Sequence, residues 1–210
     1  MNLIANPVQL LYTIPALLLC LTMHEWAHAY VAYRCGDPTA RNLGRMTMNP
    51  IVHIDVFGLI CLIVAGFGWA KPVPVNHRNF RKPRRDTILV SLAGVGMNFI
   101  LLIVGLVLFV GVFRLNPAWM ENEFLFYTLI YFMLFNVTLM LFNLIPVPPL
   151  DGSHILEALL GRYIPQSFFQ YLRRYGNIVL IALLMLGVLN PVFSFFHGLV
   201  LQLADVLVAL

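Results

Sequence analysis

Charge is scarce in this chain. Of 210 residues only 10% are Asp, Glu, Lys or Arg, nine of them acidic, against 60% hydrophobic residues and a mean hydropathy of +0.86. So apolar a composition excludes an ordinary water-soluble domain. Cysteine is equally sparse: Cys20, Cys35 and Cys61 have no paired spacing, which excludes a disulfide framework and a cysteine-based zinc site. The first twenty residues, MNLIANPVQLLYTIPALLLC, lack a basic leader region and a small-residue cleavage site, so they read as a retained span rather than a signal peptide. There is no internal repeat and no low-complexity tract. The net charge of +4 is small, and basic residues in so apolar a chain set orientation at an anionic membrane surface, which argues against a nucleic-acid partner.

What the chain does have is apolar runs of about 20 residues, enough to cross a hydrocarbon core roughly 30 Å thick. The first runs from Val8 to Tyr33, a second from Thr87 to Phe113, and a third from Phe124 to Ile145, where the prolines of PVPPLDG forbid a continued regular helix. SHILEALLGRY reads as a short helix and QSFFQYLRRYG as an interfacial segment. Residues 176–210 are apolar but broken at Asn190 and Pro191, long for one span and short for two, and two spans are expected. Residues 51–70 are β-branched and glycine-containing, poor material for a uniform helix, so a membrane-associated hairpin competes with a full span and is preferred. The expected fold is an all-α polytopic membrane protein with about four to five transmembrane helices plus a re-entrant β-hairpin. It forms one domain over 1–210, with a catalytic core over about 8–160 and C-terminal helices over about 175–210.

Orientation follows from Lys and Arg. Arg34, Arg41, Arg45, Lys71, Arg78, Arg81, Lys82, Arg84 and Arg85 fall between the first two spans, and Arg162, Arg173 and Arg174 after the third, leaving only Arg114 on the other side. The positive-inside rule then predicts an external N-terminus and a multi-pass protein of the bacterial cytoplasmic membrane.

The chemistry is concentrated in LTMHEWAHAY. His24 and His28 stand four residues apart, so a helix stacks them on one face and both can direct a ring nitrogen at one metal ion. With Glu25 between them they form H-E-x-x-H, the zinc-protease arrangement in which the glutamate is the general base. With six histidines in 210 residues, a chance match is expected about 0.003 times. Ionisable groups at membrane depth usually mark function, although a pair of hydrogen-bonded structural histidines is the rival reading. Catalytic zinc takes three protein ligands and keeps an open position. Asp151 is the candidate third ligand, because it follows a proline-broken span end, where unwound backbone is tolerated only around a polar cavity. Its rival role is a helix N-cap. His53 and Asp55 read as shaping the hairpin turn, and His154 as a helix-surface residue.

These motifs also resemble a known family. MHEWAHA, the N-x-x-P-x-x-x-L-D-G of Asn143, Pro146, Leu150, Asp151 and Gly152, and the A-G-x-x-x-N of Ala93, Gly94 and Asn98 are similar to signatures of the site-2 protease family of intramembrane zinc metallopeptidases. The resemblance covers roughly residues 20–160. It implies one Zn2+ per chain held by His24, His28 and Asp151, Glu25 as catalytic base, Asn143 beside the substrate or its oxyanion, and Asn98 among the substrate-binding residues. It also implies transmembrane protein or peptide substrates, a lipid bilayer environment, a site opening towards the cytoplasm and a hairpin beside that site. Val95 stands where the family commonly has proline, and the loop between the second and third spans is too short for the PDZ domain of some relatives. Two rival functions are a non-hydrolytic zinc-binding relative acting as a membrane regulator or chaperone, and a metal transporter. A transporter would string ligands across the bilayer rather than gather one cluster.

Overall fold

The computed structural model describes residues 8–65 and 68–209, with the side chains of Ile63 and Ala65 excluded. Helix α1 spans Val8–Cys35. A short α2 (Thr39–Asn42), a 3-10 turn at Pro50–His53 and α3 (Val56–Ala65) follow. A second 3-10 turn at His77–Asn79 leads into α4 (Pro83–Leu115), and a third at Pro117–Glu121 into α5 (Glu123–Asn143). The chain ends with α6 (Asp151–Leu160), α7 (Gln166–Met185) and α8 (Asn190–Ala209). Four of these, α1, α4, α5 and α8, are long and apolar enough to cross a membrane. The protein is a multi-pass membrane protein.

Helix α1 is built inside out. Its buried residues are small or polar, including Thr13, Ala16, Cys20, Ala29 and Ala32, whereas Leu11 and Leu19 are exposed. Lipid tails are as apolar as leucine, so burying leucine gains little there, while small residues let helix backbones approach. That stripe seats α1 between α4 and α5, which also pack on each other. A second apolar cluster, with Leu102, Leu106, Phe109, Leu129, Met133 and Val200 among its members, joins α4, α5 and α8. Helix α6 lies on α4, and α7 is tied to α6 by the Arg173–Glu157 ion pair at 2.7 Å.

The expected β-hairpin is not what forms. Among the described residues there is no strand, only one antiparallel bridge between Ile54 and Ala70, reinforced by Lys71 N–H donating to His53 O at 2.9 Å. Between its ends lie the ten residues of α3. In an apolar environment every backbone group needs a partner, and a helix supplies its own, whereas a hairpin leaves an unpaired edge. Gly58 on α3 and Gly68 on the return face each other so closely that a Cβ on either would fall on the other segment's backbone. The two glycines therefore serve close packing of helix against return rather than turn formation. Of the two spans expected over residues 176–210 only α8 is found among the described residues, because α7 begins at Gln166 rather than near 176 and absorbs the interfacial QSFFQYLRRYG segment. Helix α7 lies outside the four candidate spans.

Candidate metal centre

His24 and His28 lie on the face of α1 turned towards α4, both buried. The approach of α4 is possible because residue 94 is glycine: a Cβ there would fall on His24 Cε1 and His28 Nε2. Each imidazole is held from behind through Nδ1. His28 Nδ1 lies 2.8 Å from Val90 O, and a carbonyl only accepts, so the proton is on His28 Nδ1. His24 Nδ1 lies 2.6 Å from Asn98 Oδ1, while the Asn98 amide nitrogen donates to Asn136 Oδ1 at 2.9 Å and to Cys20 O at 3.5 Å. The Asn98 oxygen thus accepts from His24 Nδ1–H. Neutral imidazoles protonated at Nδ1 turn both Nε2 lone pairs inward.

Asp151 arrives from the other side as the first residue of α6, whose N-cap is Leu150. Gly152 permits this, since a Cβ there would collide with the carbonyls of Leu144 and Ile145 at the end of α5. The capping role weighed for Asp151 is not realised: its buried Oδ2 has no hydrogen-bond partner among the described residues. Instead it lies 3.3 Å from His28 Nε2 and 3.5 Å from His24 Nε2, and the two Nε2 atoms are 2.9 Å apart. Four-coordinate zinc with bonds of about 2.0–2.1 Å holds its ligand atoms roughly 3.3 Å apart. The three buried ligand atoms converge closely enough for one cation to be shared among them. The donor set therefore fits zinc.

Glu25 is also buried, and its Oε2 accepts from the Val73 amide at 2.7 Å. Val73 sits between Pro72 and Pro74, neither of which has an N–H, so this amide is the one donor in that tripeptide. The other expected residues are differently engaged. Asn98 is fully buried behind His24, with its polar atoms spent on protein partners. Asn143 ends α5 and donates to Leu139 O at 3.0 Å within its own helix. His154 packs against His77, with ring centroids 5.6 Å apart. Three contributors escaped the sequence reading: Asn136, the Val90 carbonyl and the Val73 amide. Only Asn136 carried a signal, as an amide in the middle of an apolar span.

The family description "Peptidase family M50" matches residues 12–119 and 109–187. Relatives bearing the name "Putative zinc metalloprotease" include YwhC of Bacillus subtilis (strain 168), 46% identical over 82% of this chain and 79% of its own length. Rip2 of Mycolicibacterium smegmatis is 32% identical over 82% of this chain and 66% of its own length, and Rip2 of Mycobacterium tuberculosis (strain H37Rv) 30% identical over 90% and 71%. No solved structure matches.

Proposed function

The chain belongs to peptidase family M50, the site-2 protease family, and from that membership we propose that it hydrolyses peptide bonds within or beside transmembrane segments of other membrane proteins. The observation that carries this reading is the convergence of His24 Nε2, His28 Nε2 and the unpartnered Asp151 Oδ2 beside a buried glutamate. His24, His28 and Asp151 hold the zinc, which when bound acidifies water and polarises the substrate carbonyl. Asn98 and the Val90 carbonyl fix the imidazole tautomers. Glu25 takes the proton of the attacking water and passes it to the leaving amine nitrogen. The Val73 amide holds Oε2 of that carboxylate and leaves Oε1 for the proton. Asn143, at the end of α5, is assigned to the substrate or its oxyanion, which its amide reaches on leaving Leu139 O. The core covers about residues 8–160, flanked by the C-terminal helices. The Lys and Arg distribution supports an external N-terminus, with the site opening to the cytoplasm of a bacterial membrane.

A single cluster of ligands, among the described residues, favours hydrolysis over transport. A base beside an open coordination position favours it over a silent metal-binding relative. The test is the purified protein and Glu25→Gln in detergent, with zinc content measured and a panel of single-span substrates incubated. Zinc retained and cleavage abolished in the variant is expected; equal cleavage by both proteins refutes the assignment.

A further inference from the structure

The 3-10 turn, α3 and its return border a partly open cavity of about 40 Å³ against α1, lined by Leu18, Leu21, Thr22, His53, Asp55 and Leu59 among others. A water needs roughly 10–15 Å³ on this measure, so the space suits a group of two or three heavy atoms. Its walls are mostly apolar, and the polar side chains among them are Thr22, Asp55, whose Oδ1 accepts from Gly58 N–H, and His53. His53 is buried, and its Nε2 lies 2.9 Å from Thr47 O, so the proton is on Nε2 and Nδ1 is a bare acceptor. That Nδ1 is buried without a partner among the described residues. A buried acceptor left unmatched is destabilising, which makes it the place where a donor is missing.

The cavity is next to the base. Leu18, Leu21, Thr22 and Glu25 are spaced i, i+3, i+4, i+7 and so share one face of α1, with Thr22 about one helical turn, roughly 5 Å, from Glu25. The opposite wall continues the same way: Ala70 lines the cavity and Val73, three residues on, gives its amide to Glu25. A substrate residue flanking a bond attacked beside Glu25 therefore has its side chain within reach of this space.

We propose that the cavity receives a small hydroxyl-bearing side chain, Ser or Thr, from the substrate residue next to the scissile bond, with His53 Nδ1 accepting its hydroxyl. This rests on the proteolytic reading above. The apolar walls take the Thr methyl, the volume rejects Leu and Phe, and the acceptor distinguishes Ser and Thr from Ala and Val. His53 thereby sets specificity without touching the ligand cluster.

The probe is a single-span peptide, loosened at its centre by a Gly-Pro pair, with one central residue set to Ala, Val, Ser, Thr, Leu or Phe. Its binding to zinc-loaded Glu25→Gln in detergent is measured by fluorescence anisotropy, and its cleavage is measured with the wild type. We expect Thr and Ser peptides to bind about tenfold more tightly than Leu or Phe peptides. Adding His53→Leu removes the roughly fivefold advantage of Thr over Val while Val binding holds. Leu18→Ala, which enlarges the space from the α1 side without disturbing the His53–Thr47 contact, admits the Leu peptide. Equal affinities across the panel, or an unchanged Thr preference in His53→Leu with zinc content intact, overturn the proposal. Side-chain selectivity in binding without wild-type cleavage sinks the protease reading and leaves the subsite; cleavage without selectivity does the reverse.

Discussion

At the scale of single residues, the metal centre depends on an atom that is absent. Alanine is the better helix former by up to about 1 kcal/mol, so a glycine within α4 has a cost that something else must offset. At Gly94 that something is the pair of imidazoles, whose atoms occupy the space a Cβ would fill. Gly96, two positions on, has nothing within 4 Å of its would-be Cβ. Gly94→Ala should weaken zinc binding about 10- to 100-fold, as expected when ligand orientation is disturbed. Gly96→Ala should leave zinc binding unchanged and raise the melting temperature slightly. Zinc titration of the two variants with a fluorescent chelator decides the matter; equal zinc affinity would show that α4 can recede without moving the rings. Asn98 belongs with Gly94, since its oxygen holds His24 Nδ1 while its nitrogen is bound to Asn136, linking α1, α4 and α5 through one chain of hydrogen bonds.

At the scale of elements, the segment between α3 and α4 is pinned at several points, among them Val73 on Glu25 and the His77–Asn79 turn on Asp37 just beyond α1. Asp37 is fully buried and accepts from Thr39 N–H and Oγ1–H, from Asn79 Nδ2 at 2.8 Å and from Asn76 N–H at 2.7 Å. Burial alone raises its pKa, but these donors favour the ionised form more strongly and hold the carboxyl below its ordinary value. A depressed folded pKa gives stability that is fully present above the unfolded value of about 3.9 and is lost as pH falls through the folded one. Asp37→Asn should therefore cost about 1–3 kcal/mol at neutral pH, with the gap to wild type closing below about pH 4. Thermal melts between pH 7 and pH 3 measure this, and a gap independent of pH would remove the charge from the explanation. The long helices were legible because hydropathy over about 20 residues is a strong signal. Residues 51–70 were misread because β-branched propensity is weak beside the need to satisfy backbone groups in an apolar medium. His24, Glu25 and His28 were legible from helical spacing and Asp151 from its proline break. The Val90 carbonyl and Val73 amide were not, because a backbone group has no residue identity and its use is set by which helices meet.

At the scale of the whole molecule, the ligands come from two ends of the chain: His24 and His28 from α1, Asp151 from α6, with α4 packed against both. Zinc bound there closes a loop of more than a hundred residues and joins the three groups through one ion. A ligand that binds only the folded state stabilises it by RT ln(1 + [L]/Kd), about 2.7 kcal/mol at a hundredfold excess over Kd. For a chain of this length that corresponds to a rise in melting temperature of about 5–10 °C. Stripping zinc with a chelator should lower the melting temperature of wild type and of Glu25→Gln alike, since Glu25 is not among the three converging groups, and readdition should restore both. Asp151→Ala should melt near the stripped wild type and respond little to zinc, because two imidazoles from one helix no longer join α1 to α6. A zinc-dependent rise in Asp151→Ala as large as in wild type would mean that the carboxylate contributes nothing to the link, and that α1 and α6 are held together by packing on α4 alone.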